Sequence, residues 1–257
     1  MGNIIACNLG SYREQFSTQE MYGHLAEIGL TNVEVGTPEP DQIEAVLKEL
    51  ADYGLAATTI MAHHDVKDEG FVSDFQTTLE TVQSLGVERI FLSAHAGEID
   101  KEIIYGRLQE LGKNARDLGL TVCLETHPDL ANNGDVALET MQAVNHPGIA
   151  INFDTANVHY HTDRSIDTVE EIQKILNHVK AVHLKDTTGG YHTWNFPTLG
   201  AGIIDFKAVF NLLSGVGFIG PYTMELEGVE GESLDQDGVL KRVEESFQYL
   251  IDIGVAD

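Results

Sequence analysis

His183 and Lys185 stand two residues apart in AVHLKD, a run whose other members before Asp186 are apolar. Side chains at i and i+2 of a strand share a face, so an imidazole and an ammonium project together from one strand end. The pattern recurs elsewhere. Glu125 and His127 alternate in VCLETH, Glu225 and Glu227 alternate in YTMELEG, and Asp154 closes AINFD. Such groups are costly to bury unpaired, so four apolar strands that end in them imply a shared site. Three massed carboxylates repel one another and raise their own pKa values unless a cation lies between them. Three oxygen donors and one imidazole suit Mn²⁺, Mg²⁺ or Co²⁺, and Zn²⁺ is also compatible. Glu125, Asp154, His183 and Glu225 are therefore the expected ligands of one divalent metal ion. The competing arrangement is a set of ion pairs with Lys185 and Arg164.

Positioning these residues requires strands that end side by side. Apolar, β-branched runs begin near Ile4, Val33, Ala57, Arg89, Thr121, Ile149, Ala181 and Tyr222, with amphipathic segments between them. Ser17 to Glu20 reads as a capping box opening the first helix, and Pro40 with Asp41 opens the second. Further helices are predicted over 72–85, 101–118, 135–144, 165–179, 205–213 and 238–253, with Gly119 as a C′ glycine. Strands alternating with helices predict parallel pairing, and eight such units predict a single (β/α)₈ TIM barrel spanning 1–257 as one catalytic domain. No GxGxxG or P-loop pattern follows the first strand, which argues against a nucleotide-binding fold. In a barrel, polar residues at C-terminal strand ends face the active site. Adjacent strands lie about 4.8 Å apart, so four of them can meet at one ion.

Composition narrows the partners. A 257-residue chain that is 42% hydrophobic supports a sizeable core, and no segment approaches a transmembrane helix in length. The net charge of −26 repels nucleic acid and anionic membranes and reads as a solvated acidic surface. Cys7 and Cys123 fall inside predicted strands and are expected as reduced core thiols. The N-terminus lacks a basic region followed by a long apolar stretch, so no signal peptide is expected and cytoplasm is the default compartment. The expected partner is a small molecule, taken by the chain alone or as a homo-oligomer, with no nucleic-acid or membrane partner.

The succession CLETH, INFDTANVHY, HLKD, FPTLGAGIIDF and GPYTMELEG resembles the xylose-isomerase-like barrel superfamily. That group includes sugar phosphate isomerases and epimerases, ketose 3-epimerases, hydroxypyruvate isomerases and inosose-processing enzymes. The resemblance covers nearly the whole chain and implies an enzyme of carbohydrate metabolism with the same four metal ligands. It also implies, for Glu125 and Glu225, a part in exchanging a proton with the substrate carbon. One position departs from the pattern. Ketose 3-epimerases typically carry a histidine three residues beyond the aspartate ligand, and this chain has Asn157 there.

The chemistry follows from the carbonyl. A proton on the neighbouring carbon is too weakly acidic for an unaided carboxylate, and a divalent metal on the carbonyl and an adjacent hydroxyl stabilises the enediolate as it forms. Carboxylates on two faces give epimerisation, return of the proton to the next carbon gives isomerisation, and loss of a β-hydroxyl gives dehydration. The expected activity is a metal-dependent isomerase or epimerase of a ketose, keto-sugar or cyclitol. The alternative is a dehydratase or lyase acting on an inosose or 3-keto-sugar at the same site. Superfamily members also include abasic-site DNA endonucleases. Those need three clustered metals, for which His63, His95 and His159 offer ligands, and a basic face that the charge denies. A barrel kept only for binding would not need an intact ligand set.

Other residues fall at the same rim. His127 is a candidate base or donor, and Lys185 is a candidate for stabilising the enediolate charge, or else an ion-pair partner of Asp186 or Glu227. His63 or His64 after strand three, His95 after strand four, Asn157, Trp194 and Glu34 are candidates for binding substrate. His159 and His161 read as surface groups. The long irregular segment from Asp186 to Gly202 carries Tyr191, His192, Trp194 and Phe196 where a barrel keeps its substrates. A phosphorylated substrate stays open, because backbone amides at a helix N-terminus bind phosphate without arginine.

Overall fold

The computed structural model describes residues 2–257. In chain order the strands are β1 (Ile5–Asn8), β2 (Asn32–Gly36), β3 (Ala56–Ala62), β4 (Arg89–Leu92), β5 (Thr121–Glu125), β6 (Ile149–Asp154), β7 (Val179–Leu184), β8 (Asn195–Phe196), β9 (Tyr222–Met224) and β10 (Gly228–Val229). Among the described residues β1 to β7 and β9 form a closed parallel barrel in sequence order, and β9 pairs back onto β1. The short β8 and β10 pair antiparallel outside the barrel, joining the loops that follow β7 and β9. The helices are α1 (Thr18–Glu27), α2 (Ile43–Asp52), α3 (Phe71–Leu85), α4 (Lys101–Asp117), α5 (Gly134–Val144), α6 (Asn157–Tyr160), α7 (Thr168–Lys174), α8 (Phe206–Ser214) and α9 (Gln236–Asp252).

Period-two alternation sorts the strand residues into two sets. Val122 and Leu124, Ile151 and Phe153, and Val182 and Leu184 join helix side chains such as Leu108, Leu111 and Phe210 in one apolar layer outside the barrel. Cys123, Ala150 and Ala181, on the opposite face, form a separate small cluster. The next inward positions up the same strands are Glu125, Asn152 with Asp154, and His183. Both cysteines are buried and unpaired. Among the described residues no helix is long and apolar enough to cross a membrane.

Local signals set most boundaries. Ser17 and Glu20 form the reciprocal capping box that starts α1. Asp100, Asn133, Asp167, Asp205 and Asp235 each accept a backbone N–H at the start of α4, α5, α7, α8 and α9. The helix predicted over 165–179 is the clear departure. Asp167 is its N-cap, so α7 begins only at Thr168, and it gives way to a 3-10 turn over Leu176–His178 before β7 starts. Val179 already pairs with Ile151, so the sheet takes the last residue the periodicity assigned to the helix.

Close packing of α4 on β6 depends on two glycines. A Cβ at Gly148 would lie 2.0 Å from the Gly112 carbonyl oxygen, and a Cβ at Gly112 would lie 2.9 Å from Ile149 Cγ1. Gly148→Ala is expected to cost about 1–3 kcal/mol through overpacking. The check is the urea midpoint, and an unchanged midpoint would show that helix and strand separate freely.

Candidate metal centre

Glu125 ends β5, Asp154 ends β6, His183 lies near the end of β7 and Glu225 follows β9, so four neighbouring strands deliver one side chain each to the C-terminal mouth. One ligand atom from each lies within 4.8 Å of all the others. Glu125 is 4% exposed, and Asp154 and His183 are fully buried. The surroundings aim each donor inward. Asp154 Oδ1 accepts from Ala156 N and Asn157 N, both at 2.8 Å, which leaves Oδ2 facing the cluster. His183 Nε2 donates to Glu34 Oε1 at 3.0 Å, which turns Nδ1 towards Glu225 Oε2 at 3.2 Å. His127 Nδ1 lies 2.8 Å from Glu125 Oε2, while Asn157 Nδ2 donates to Glu125 Oε1 at 3.3 Å.

Lys185 enters the same space. Its Nζ lies 3.0 Å from Asp154 Oδ2, 2.6 Å from Glu225 Oε2 and 2.7 Å from Glu227 Oε2, and the residue is 1% exposed. Asp154 Oδ2 and Glu225 Oε2 thus have the ammonium as counter-charge, and His183 Nδ1 faces Glu225 Oε2 at 3.2 Å. Three carboxylates and one imidazole are the donor set a divalent cation takes, so the residues fit such an ion.

The electrostatics show how tightly these groups depend on one another. Burial alone would raise the Glu125 carboxyl, but the imidazoles of His127 and His183 beside it hold it down at about 2. Burial would also raise Glu225, and the charges of Lys185 and His183 instead pull it well below the usual range. Asp154 and Glu227 go the other way: burial raises both, and Lys185 offsets only part of it. Burial disfavours charge on Lys185 and His183. The carboxylates around them prevail, and both are raised well above their ordinary values.

The other expected residues divide between the cluster and its surroundings. His127 sits beside Glu125, and Asn157 touches Glu125, His127 and, through Oδ1, Lys185 Nζ at 3.3 Å. The partners of Lys185 include Glu227 and exclude Asp186, and Arg164 pairs with Glu171 at 2.9 Å, away from the cluster. Glu34, a candidate for substrate or equally for a structural ion pair, is paired: at 1% exposure it lies behind His183, where Asn8 Nδ2 donates to it at 2.8 Å. His95 is exposed at the rim, its ring stacked on His127 and its Nδ1 on the Pro128 carbonyl. His64 turns outward, 2.9 Å from Thr78 of α3 and against Phe75, because α3 packs over that loop. His63 is exposed. Trp194, 39% exposed, packs edge-on to Tyr160 and Phe196 instead of lying bare.

His159 and His161 were expected at the surface and are partly buried. His159 Nε2 lies 2.8 Å from Thr168 Oγ1 of α7, and the His161 ring meets His127 edge-on at 5.0 Å. Burial and the neighbouring His127 charge push His161 down to about 3. The short α6 folds this segment back over the mouth, and no strand alternation announces that. Asn8 and Ser93, whose Oγ lies 2.6 Å from His127 Nδ1, were also missed. Both follow the rule that found the others, a polar residue at a strand's C-terminal end.

A closed parallel barrel with acidic and imidazole side chains gathered at its C-terminal mouth has them where such barrels keep their active sites. Residues 23–253 match the family described as xylose isomerase-like TIM barrel, and the chain belongs to it. An inosose dehydratase from Klebsiella pneumoniae subsp. pneumoniae is 25% identical over 248 residues, covering 81% of this chain and 82% of that protein. A ketose 3-epimerase from Arthrobacter globiformis is 25% identical over 228 residues, covering 77% of this chain and 74% of that protein. A xylose isomerase-like TIM barrel protein from Mycobacterium smegmatis, solved in complex with magnesium, superimposes with a TM-score of 0.77. It is 17% identical, and the match covers 98% of this chain and 97% of that one.

Proposed function

We propose that the chain is a divalent-metal-dependent isomerase or epimerase acting on a ketose, keto-sugar or cyclitol, with Glu125, Asp154, His183 and Glu225 as the metal ligands. The observation that carries this reading is the convergence of one ligand atom each from Glu125, Asp154, His183 and Glu225, all within 4.8 Å of one another. A bound Mn²⁺, Mg²⁺, Co²⁺ or Zn²⁺ would supply Lewis acidity to a substrate carbonyl and its neighbouring hydroxyl. The protein does the rest. Glu125 and Glu225 come from different strands, and as carboxylates at neutral pH they are the groups that take and return the carbon-bound proton. His127 fixes one Glu125 oxygen and Asn157 the other, so the base is held in one orientation. Lys185 offers positive charge to the oxygen on which negative charge develops.

Dehydration of an inosose or 3-keto-sugar is the second reading. It is favoured by two groups beside the cluster that can hand a proton to a departing hydroxyl: Lys185, and His127, which Glu125 raises against the effect of burial. The similarity to an inosose dehydratase supports the same reading. An abasic-site nuclease is disfavoured by the charge of −26 and by His159, which turns to α7 and away from the ligand cluster.

The test is the Mn²⁺-loaded protein in D₂O with keto-sugars and inososes, followed by proton NMR. Deuterium entering beside the carbonyl is expected, and new ultraviolet absorbance from a conjugated carbonyl would select the dehydratase. No exchange with any of these substrates would end both readings. Glu34 offers a separate check, since a carboxylate behind a ligating histidine fixes its tautomer and orientation. Glu34→Gln is expected to weaken Mn²⁺ binding by about 10- to 100-fold in calorimetry with the fold intact. An unchanged dissociation constant would remove Glu34 from that role.

A further inference from the structure

Ser93 follows Leu92, the last residue of β4, and joins two imidazoles at the rim. Its Oγ lies 2.6 Å from His127 Nδ1 and 3.2 Å from His95 Nε2, and the two rings stack with centroids 5.2 Å apart. His127 carries the contact inward. Its Nδ1 is also 2.8 Å from Glu125 Oε2, and its Nε2 lies 3.2 Å from Asn157 Nδ2. A chain of polar contacts thus runs from Lys185 through Asn157, His127, Ser93 and His95 to the Pro128 carbonyl.

The hydrogens in this chain can be placed because each end admits a single direction. At one end the Lys185 ammonium has hydrogens to give and no acceptor. The Asn157 atom 3.3 Å from its Nζ is therefore the carbonyl Oδ1, and the amide nitrogen faces the other way. Asn157 Nδ2 only donates, so His127 Nε2 offers it a lone pair and the ring hydrogen sits on Nδ1. At the other end the Pro128 carbonyl only accepts. His95 Nδ1 beside it carries that ring's hydrogen, and His95 Nε2 is bare. Ser93 then receives from His127 Nδ1 and donates to His95 Nε2. Every bond runs the same way, and reversing any one would set two donors or two lone pairs face to face. Bonds aligned in this manner polarise and strengthen one another.

Two consequences follow. Both His95 nitrogens are engaged by the protein, so this histidine supports its neighbour instead of hydrogen-bonding substrate through its ring. The single hydrogen on His127 Nδ1 also faces two oxygens, Ser93 Oγ at 2.6 Å and Glu125 Oε2 at 2.8 Å. Without the hydroxyl, the ring is free to turn and commit that hydrogen wholly to the carboxylate. We infer that Ser93 is a positioning residue: by accepting from His127 Nδ1, with His95 behind it, it fixes the tautomer and angle of His127 and through them the orientation of Glu125. The inference rests on the proton-transfer role proposed above for Glu125 and adds to it a residue that acts through another.

Two measurements test it, and the first needs no substrate. The Mg²⁺-loaded protein, with nitrogen-labelled histidine, is followed by long-range proton–nitrogen correlation NMR. At about pH 9 a histidine ring keeps one hydrogen, and the spectrum reads which nitrogen holds it. Nδ1 is expected for both His127 and His95. A bare Nδ1 on either ring breaks the chain and overturns the inference, whatever the enzyme's reaction.

The second measurement compares wild type, Ser93→Ala and Ser93→Thr, all loaded with Mn²⁺, on whichever keto-sugar or inosose exchanges fastest in D₂O. Ser93→Ala is expected to lower kcat about 10- to 100-fold through a misplaced base. KM and Mn²⁺ affinity should stay within about twofold of wild type, the pattern of a group felt only in the transition state. The threonine hydroxyl should restore most of the rate. A wild-type kcat in Ser93→Ala, a loss that threonine does not repair, or a loss confined to KM or to Mn²⁺ affinity overturns the positioning role. No exchange by the wild-type protein counts against the carbonyl chemistry, and the nitrogen spectra then decide the chain alone. They also decide it should Ser93→Ala not fold.

Discussion

Glu125→Gln is expected to yield a folded barrel that exchanges no measurable substrate proton, with the rate of deuterium incorporation falling by at least about 10³-fold. Glutamine keeps the volume of the side chain and can still accept a hydrogen bond from His127, which now reaches Glu125 Oε2 over 2.8 Å. What it cannot do is take a proton. The carboxyl at this position is held at about 2, so it enters the reaction ionised, and the substitution removes both the base and one negative charge from the ligand set. Glu225→Gln is expected to do the same from its place after β9, since Glu225 is held ionised by Lys185 and His183. Initial rates by proton NMR measure the loss, and calorimetry with Mn²⁺ separates failed proton transfer from failed metal binding. A variant that binds Mn²⁺ normally yet turns over within about tenfold of wild type would strike that carboxylate from the proton-transfer role.

The parts of this site that sequence makes legible are those written in strand alternation. The runs near Ile4, Val33, Ala57, Arg89, Thr121, Ile149 and Tyr222 begin within a residue of the observed strands. His183, Lys185, Glu125 and His127 stand out because a polar residue in an apolar strand is anomalous by itself. Glu34 is anomalous in the same way, yet alternation reports only which face a side chain takes. Its pairing with His183 crosses the barrel from β2 to β7 through 149 residues of sequence separation, and that contact exists only once the sheet has closed. Asp186 is hidden for a different reason. An acidic residue before two glycines reads as a turn, whereas its four donors come from amides up to 18 positions later. His161 shows the same limit: a loop histidine carries no periodic signal, and the fold-back of α6 places it against His127. Regular elements advertise themselves through a repeat, while irregular loops become functional through backbone geometry that no residue pattern spells out.

Lys185→Met bears on how one mouth accommodates so many acids. Methionine preserves the apolar stem of the lysine and removes the ammonium that now lies within 3.0 Å of Asp154, Glu225 and Glu227. Stripping a buried charge cluster of its counter-charge costs about 3–5 kcal/mol, so the metal-free variant should unfold at markedly lower urea than wild type. A divalent ion held by Asp154 Oδ2 and Glu225 Oε2 would share those two oxygens with the ammonium, and two cations so placed repel. Removing the lysine therefore favours the ion. Mn²⁺ is expected to bind Lys185→Met about tenfold more tightly or better and to raise its melting temperature by more than it raises that of wild type. Turnover should fall despite the tighter metal, because the positive charge facing the developing oxyanion is gone. The signs of these effects are opposed, and that makes the variant decisive. A lysine that merely stabilised the barrel would lower stability and leave Mn²⁺ affinity unchanged, whereas one that competes for the ligand oxygens must weaken the apo protein and strengthen its hold on the ion together.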